Sequence, residues 1–191
     1  MLICVTGEIN SGKTTALTII KKQGYHTFSM DEYIHRIYKI NKIGYQLIKK
    51  NFGDKYVNSR EVDREKLGKL VFSNKQALNQ LNKLMIPIML DKIQEISEKF
   101  DVLFIELGIY IYHESLFYHF FDKVIFINAK NLIRNQKFKE KKAFLKNFPT
   151  INVGKLYSHS KDWKKHHYMI VENTQNLQKF QDKILKILKI I

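Results

Sequence analysis

Residues 7–14, Gly7-Glu8-Ile9-Asn10-Ser11-Gly12-Lys13-Thr14, fit the pattern G-x-x-x-x-G-K-[ST]. Each residue type in it has a chemical task. Backbone N–H groups of such a loop wrap a phosphate, and the helix that follows directs its positive end at the same anion. Lys13 can reach the β- and γ-oxygens of a nucleotide, and Thr14 can ligate magnesium. Asn10, Ser11, Gly12, Lys13, Thr14 and Thr15 are therefore candidate nucleotide contacts, with Thr14 the candidate metal ligand. A glycine-containing turn would need no special flanks. This stretch instead follows the apolar, β-prone run Leu2–Thr6 and precedes the helical spacing of Ala16, Ile19 and Ile20, the context that phosphate binding requires.

A second chemical candidate follows a short β-prone run at Tyr25–Phe28. Asp31 then falls at the carboxyl edge of a strand, where open α/β sheets bind ligands, and is a candidate base. The same residue type is a common N-cap, here for a helix starting near Glu32, and both readings stand at this point. The seven histidines form no H-E-x-x-H or Cys/His spacing, so no structural metal is expected.

The elements that must position these residues read as an alternation of strands and helices. After the loop, a helix from about Lys13 to Gln23 closes at Gly24. Residues 32–50 have helical spacing, 51–58 read as a loop, and Asp63 is a plausible N-cap for a short helix carrying Leu67, Leu70, Val71 and Phe72. A longer helix over Asn74–Lys99 is expected to be interrupted or kinked at Pro87. Val102–Ile105, ended by Glu106, is a continuous apolar run, as are Lys123–Ile127 and Tyr168–Val171; such runs suit central parallel strands covered on both faces. The last helix, from about Asn176, puts Leu177, Phe180, Ile184, Ile187, Leu188 and Ile191 on one stripe. The sum is an α/β domain with a five-stranded, doubly wound parallel sheet.

Composition sets the outer limits. A chain of 191 residues, 45% hydrophobic and 13% aromatic, suits a single compact domain that buries about 70% of its unfolded surface. A formal charge of +15 points to an anionic partner, but 29 of the 33 basic residues are lysines, as 33 − 4 arginines leaves, and much of that charge reads as solvated surface. No nucleic-acid module is recognisable, so nucleic acid is not an expected partner. The lone Cys4 excludes an internal disulfide. No apolar stretch reaches about 18 residues and no charged leader precedes the first strand, so a cytoplasmic protein without a membrane partner is expected.

With these elements in place, the chain resembles the dephospho-coenzyme A kinase family. The family's opening T-G-G-I-G-S-G-K-[ST] is matched by Thr6–Thr14, with Glu8 and Asn10 in place of two glycines. Its next strand ends in D-A-D, here Ser29-Met30-Asp31, keeping the second acid. Its [IV]-D-R-x-x-L-x-x-[IV]-V-F is matched by Val62-Asp63-Arg64 through Leu67 to Leu70-Val71-Phe72. A His-Pro pair is Ile86-Pro87 here. P-L-L-F-E becomes Tyr110–Glu114, keeping the acid, and Q-x-x-R-x-x-x-R falls on Arg134, Lys137 and Lys141. The closing A-D-x-x-I-x-N is matched at Val171 and Asn173.

The resemblance implies a P-loop kinase-like three-layer α/β/α fold over residues 1–191, with a helical substrate-side region at about 32–99 and a helical lid at about 131–165. It implies ATP and dephospho-coenzyme A as ligands, Mg²⁺ as cofactor, and transfer of the γ-phosphoryl group to the ribose 3′-hydroxyl. Lys13, Asp31 and Lys141 would be catalytic; Arg134, Lys137 and Asn173 would join the loop at ATP; Asp31, Arg64 and Glu114 would bind substrate. The rivals are another small-molecule P-loop kinase, for nucleosides or nucleotides, and a basic nucleic-acid-binding NTPase. Lys13→Ala should abolish phosphoryl transfer and leave the circular dichroism spectrum and melting temperature close to wild type. Full activity in that variant would remove the loop from the mechanism.

Overall fold

The protein is described by a computed structural model that covers residues 1–109, 114–129, 168–174 and 176–191, with backbone alone at 114 and 115. Five strands form one parallel sheet: β1 (Leu2–Gly7), β2 (His26–Ser29), β3 (Leu103–Glu106), β4 (Lys123–Ala129) and β5 (Tyr168–Asn173), in the order β2-β3-β1-β4-β5. Because side chains alternate across a strand, each apolar run feeds two cores. Ile3, Val5, Phe104, Ile125, Ile127 and Val171 face α1 (Lys13–Lys22) and the last helix. Leu2, Cys4, Leu103, Ile105 and Val124 face the other layer, to which α2 (Met30–Ile37) gives Met30. Both faces of β1, β3 and β4 are covered, which is why these three read as unbroken apolar runs; Tyr168–Val171, expected as a central covered strand, is instead the edge strand β5 with only Val171 buried.

β1 lies between β3 and β4. The chain leaves β1 toward β2 on one side and later crosses to β4 on the other, so the direction of winding reverses beside β1. A crevice opens there at the carboxyl ends of the strands. Two hydrogen bonds fix its floor: Thr6 Oγ1 donates to the Leu107 carbonyl at 2.8 Å, and Leu107 N–H donates to the Val5 carbonyl at 3.1 Å.

The expected single helix over 32–50 is two helices, α2 and α3 (Ile43–Phe52). The chain breaks between them because residues 39 and 40 pair elsewhere: Ile40 N–H donates to the Arg60 carbonyl at 2.7 Å, Lys39 bridges Glu61, and Asn41 takes a left-handed φ of 64°. Asparagine tolerates that conformation better than most residues. Asp63 caps α4 (Arg64–Ser73) as expected, accepting from Lys66 N–H at 3.0 Å. Asn74 caps α5 (Lys75–Ser97) by accepting from Gln76 and Ala77 N–H, and α5 runs through Pro87 without the expected interruption. Ile37, Tyr38, Ile48, Leu67, Val71 and Met85 close a third core among α2–α5.

A short α6 (Glu114–Phe117) precedes β4, and α7 (Leu177–Leu188) ends the chain. Phe180, Ile184 and Leu188 of α7 are buried, whereas Leu177 is 62% exposed. Leu177 shares the expected stripe but is not packed, being the first helical residue after the Asn176 cap. Phe104, with no exposed surface on the interior strand β3 and Tyr25 edge-on at 5.3 Å, should be among the costliest truncations. Phe104→Ala should lower the unfolding free energy by about 3–5 kcal/mol and Leu177→Ala by less than about 0.5 kcal/mol, read from denaturant midpoints; equal losses would contradict this layering.

Candidate active site

The loop between β1 and α1 curves through three left-handed or otherwise glycine-favouring residues: Gly7 at φ 148°, Asn10 at 59° and Gly12 at 102°. Packing enforces the two glycines. A Cβ on Gly7 would lie 2.3 Å from the Ile127 carbonyl oxygen, and one on Gly12 would lie 2.3 Å from Asn173 Nδ2. The two departures from the family pattern fit this backbone. Asn10 occupies a left-handed position, which asparagine tolerates, and Glu8 has no positive φ and needs no glycine. Asn173, at the end of β5, donates from Nδ2 to the Ser11 carbonyl at 2.7 Å and so braces the loop from the far side.

A cavity of about 500 Å³ opens in front of the loop. Asn10, Gly12, Lys13, Thr14 and Thr15 line one wall; Asp31, Glu106 and Met89 contribute to the rest. Ser11 is wholly buried beneath the loop and does not line it. Lys13 Nζ donates to the carbonyls of Gly7 at 3.1 Å and Glu8 at 2.9 Å. Burial lowers the Lys13 pKa, while the carboxylates of Glu106 and Asp31 pull it upward.

Asp31 is exposed at the mouth of this cavity. It is not the N-cap. The helix begins earlier than expected, at Met30, whose side chain is buried in the core, and Ser29 is the cap, accepting from Glu32 N–H at 3.3 Å. Asp31 in the first turn still complements the helix dipole, and its carboxylate is left to face the cavity.

Glu106 is the functional candidate that sequence reasoning missed, since in sequence it only closes an apolar strand. It is 6% exposed, and its Oε2 accepts from Ser29 Oγ at 2.8 Å. Burial raises its pKa; the Ser29 bond and Lys13 lower it, and Asp31 and Glu32 raise it again. The available signal was a lone carboxylate closing the run Val102–Ile105 at the carboxyl edge of a central strand. The exchange of the family's first acid for Ser29 becomes intelligible here: a carboxylate at that position would press against Glu106, whereas the hydroxyl donates to it. Ile86, where the family has histidine, is buried in the apolar core.

Arg64, the first residue of α4, is not in the cavity wall. Its Nη1 lies 3.3 Å from His35 Nδ1, and His35 Nε2 lies 3.4 Å from Asp31 Oδ2. Glu114 begins α6, but its side chain lies outside the described residues, as do the expected lid at 131–165 and Arg134, Lys137 and Lys141. Among the described residues no three His, Cys, Asp or Glu side chains form a metal cage. Thr14, Asp31 and Glu106 are oxygen donors on one cavity, the donor chemistry that suits a magnesium ion arriving with nucleotide phosphates. No described helix is long and apolar enough to cross a membrane.

A phosphate-wrapping loop, its lysine and two carboxylates at the switch point of a five-stranded parallel sheet define a P-loop kinase. The family model for dephospho-CoA kinase matches residues 1–144. The dephospho-CoA kinase of Mycoplasma genitalium is 31% identical over 150 residues, 76% of this chain and 75% of that protein. Among solved structures, dephospho-CoA kinase from Campylobacter jejuni superposes with a TM-score of 0.61 at 24% identity, over 98% of this chain and 95% of that one. TT1252 from Thermus thermophilus does so with a TM-score of 0.68 at 19% identity, over 100% and 96%. The chain belongs to the dephospho-CoA kinase family, which uses ATP to phosphorylate dephospho-CoA to CoA.

The raised Glu106 pKa has a consequence for stability. Folding favours the protonated acid, so this group's contribution is fully present below its ordinary pKa of 4.5 and is lost as pH rises through the higher folded value. Glu106→Gln keeps an acceptor for Ser29 and removes that loss. Its melting temperature should therefore gain on wild type between pH 4 and pH 7.5 while turnover falls. A difference in melting temperature independent of pH would contradict the buried, reluctant carboxylate.

Proposed function

We propose that this chain transfers the γ-phosphoryl group of ATP to the ribose 3′-hydroxyl of dephospho-CoA in the cavity before the loop. The observation that carries the reading is the convergence of Lys13, Asp31 and Glu106 on that one cavity. ATP phosphates would lie against the N–H groups of residues 10 and 12–15, with Ser11 buried behind them and its own N–H held by the Glu8 carbonyl. Lys13, released from the Gly7 and Glu8 carbonyls, would follow charge onto the departing β-oxygen. Asp31, exposed and in the first turn of α2, would accept the proton of the attacking hydroxyl. The hydroxyl oxygen bonds to phosphorus as the bond to the β,γ-bridging oxygen breaks, and ADP carries that electron pair away.

Thr14, with Glu106 reached directly or through water, would hold Mg²⁺, which when bound neutralises charge on the β- and γ-oxygens. Arg64 and Glu114 would contact dephospho-CoA, and Asn173 would border the nucleotide beside the loop it braces. Arg134, Lys137 and Lys141 enter on sequence spacing alone: three and four residues apart, they share one face of a helix and would bring cations from residues 131–165 to the phosphoryl group. A cytoplasmic setting accords with ATP as donor.

The test is ADP release by purified protein with ATP and Mg²⁺, comparing dephospho-CoA with nucleosides, nucleotides and generic RNA as additions. Stimulation by dephospho-CoA alone supports the reading; stimulation by a nucleoside or by RNA would replace it. Asp31→Asn should lose on the order of 10²-fold or more in turnover, with a melting temperature near wild type because Ser29 is the cap. Lys141→Ala should lower kcat and Lys141→Arg should preserve or raise it, since the guanidinium fork suits phosphate; indifference to both changes would remove Lys141 from the reaction.

A further inference from the structure

His35 joins two residues that the proposed reaction uses separately. Its Nδ1 lies 3.3 Å from Arg64 Nη1, and Arg64 is 29 residues away on another helix. Its Nε2 lies 3.4 Å from Asp31 Oδ2, one turn back along α2. A guanidinium nitrogen can only donate, so Nδ1 must accept and the ring hydrogen resides on Nε2. That N–H is shielded from solvent and has no hydrogen-bond partner; the Asp31 carboxylate is 3.4 Å from Nε2 but is not aligned to accept from it. A buried donor left without a partner is costly, so a small shift that aligns the Asp31 carboxylate with the ring N–H would be stabilising. The phenol of Tyr38 belongs to the same neighbourhood: burial pushes its pKa up to about 12, with Arg64 acting to lower it and Asp31 to raise it.

We infer that His35 is a positioning residue that fixes the distance between the substrate-binding guanidinium of Arg64 and the carboxylate of Asp31, by accepting from the first and donating to the second. The inference rests on the proposed roles of Asp31 and Arg64. Arg64 lies outside the cavity wall, so a substrate held by it would meet Asp31 only at a distance set by something between them, and His35 stands there. An ordinary i, i+4 surface pair on α2 would not need the contact to α4. The link also explains why α4 is capped so near the site: Asp63 fixes the first turn of α4, and Arg64 is its first residue.

The experiment is steady-state kinetics with ATP, Mg²⁺ and dephospho-CoA on His35→Ala, His35→Gln, Arg64→Ala, the double variant His35→Ala with Arg64→Ala, and Asp31→Asn, each with its melting temperature. His35→Ala should lower kcat/KM for dephospho-CoA by about 10-fold or more, as losses of orienting partners do, and leave the KM for ATP within about 2-fold. His35→Gln should recover most of that loss, because an amide offers an oxygen to Arg64 and an N–H to Asp31. Arg64→Ala should cost less on the His35→Ala background than alone, the signature of coupled residues. Wild-type kcat/KM in His35→Ala, equal damage in His35→Ala and His35→Gln, or strict additivity with Arg64→Ala would each overturn the inference. Should His35→Ala not fold, His35→Gln against His35→Met, of similar length without a donor, makes the same comparison. Unchanged turnover in Asp31→Asn would overturn the reading of Asp31 and this inference with it; loss in Asp31→Asn beside an unaffected His35→Ala would overturn only the role of His35.

Discussion

The site depends on one cation held in a partly dry crevice. Lys13 rests on the carbonyls of Gly7 and Glu8, stripped of much of its water and compensated by Glu106 and Asp31. Removal from water disfavours an ammonium, and nearby carboxylates restore it. For that balance to exist, the loop must turn tightly enough to aim its own carbonyls at its own lysine. The turn in turn needs Gly7 against Ile127, Gly12 against Asn173, and β1 seated between β3 and β4. The parallel pairing of β1 with β3, register Val5 to Glu106, then brings a carboxylate beside the loop. Sheet order is thus the device that assembles the charges.

The two carboxylates differ by environment. Glu106 is buried, bonded to Ser29, and disfavours ionisation; Asp31 is exposed at the cavity mouth. A dry carboxylate near the lysine suits a fixed electrostatic partner, and a wet one suits exchange of a proton with an incoming hydroxyl. Where the family pattern carries its first acid, this chain has Ser29, which removes one like charge from a crowded crevice and supplies a donor instead. The same hydroxyl caps α2 and so sets where Asp31 stands.

The sheet and its order of elements were legible because parallel strands buried on both faces leave apolar runs that helices separate, and Val102–Ile105 and Lys123–Ile127 are such runs; Tyr168–Val171 read the same way but is the half-buried edge strand β5. The loop was legible because its chemistry demands four residue types at fixed spacing. Less was readable where long-range contacts decide. Nothing local in residues 32–50 announces that Ile40 will bond to Arg60 and split the helix. Asp31 and Ser29 are both good caps, and burial of Met30 decided between them. Glu106 looked like punctuation because its importance comes from the neighbouring strand, and His35 was invisible because its partner Arg64 arrives from another helix. The departures from the family's glycines at Glu8 and Asn10 became intelligible only with the loop's backbone angles known.

Movement of a phosphoryl group in this crevice, from ATP to the ribose of dephospho-CoA, is tested most directly by ³¹P NMR of a reaction of the purified protein with ATP, Mg²⁺ and dephospho-CoA. One new phosphomonoester resonance is expected, assigned to the ribose 3′ position by its coupling to the 3′-proton and growing in step with ADP. ADP formed without that resonance, or a phosphate on any other oxygen, would contradict the transfer derived from Lys13, Asp31 and Glu106.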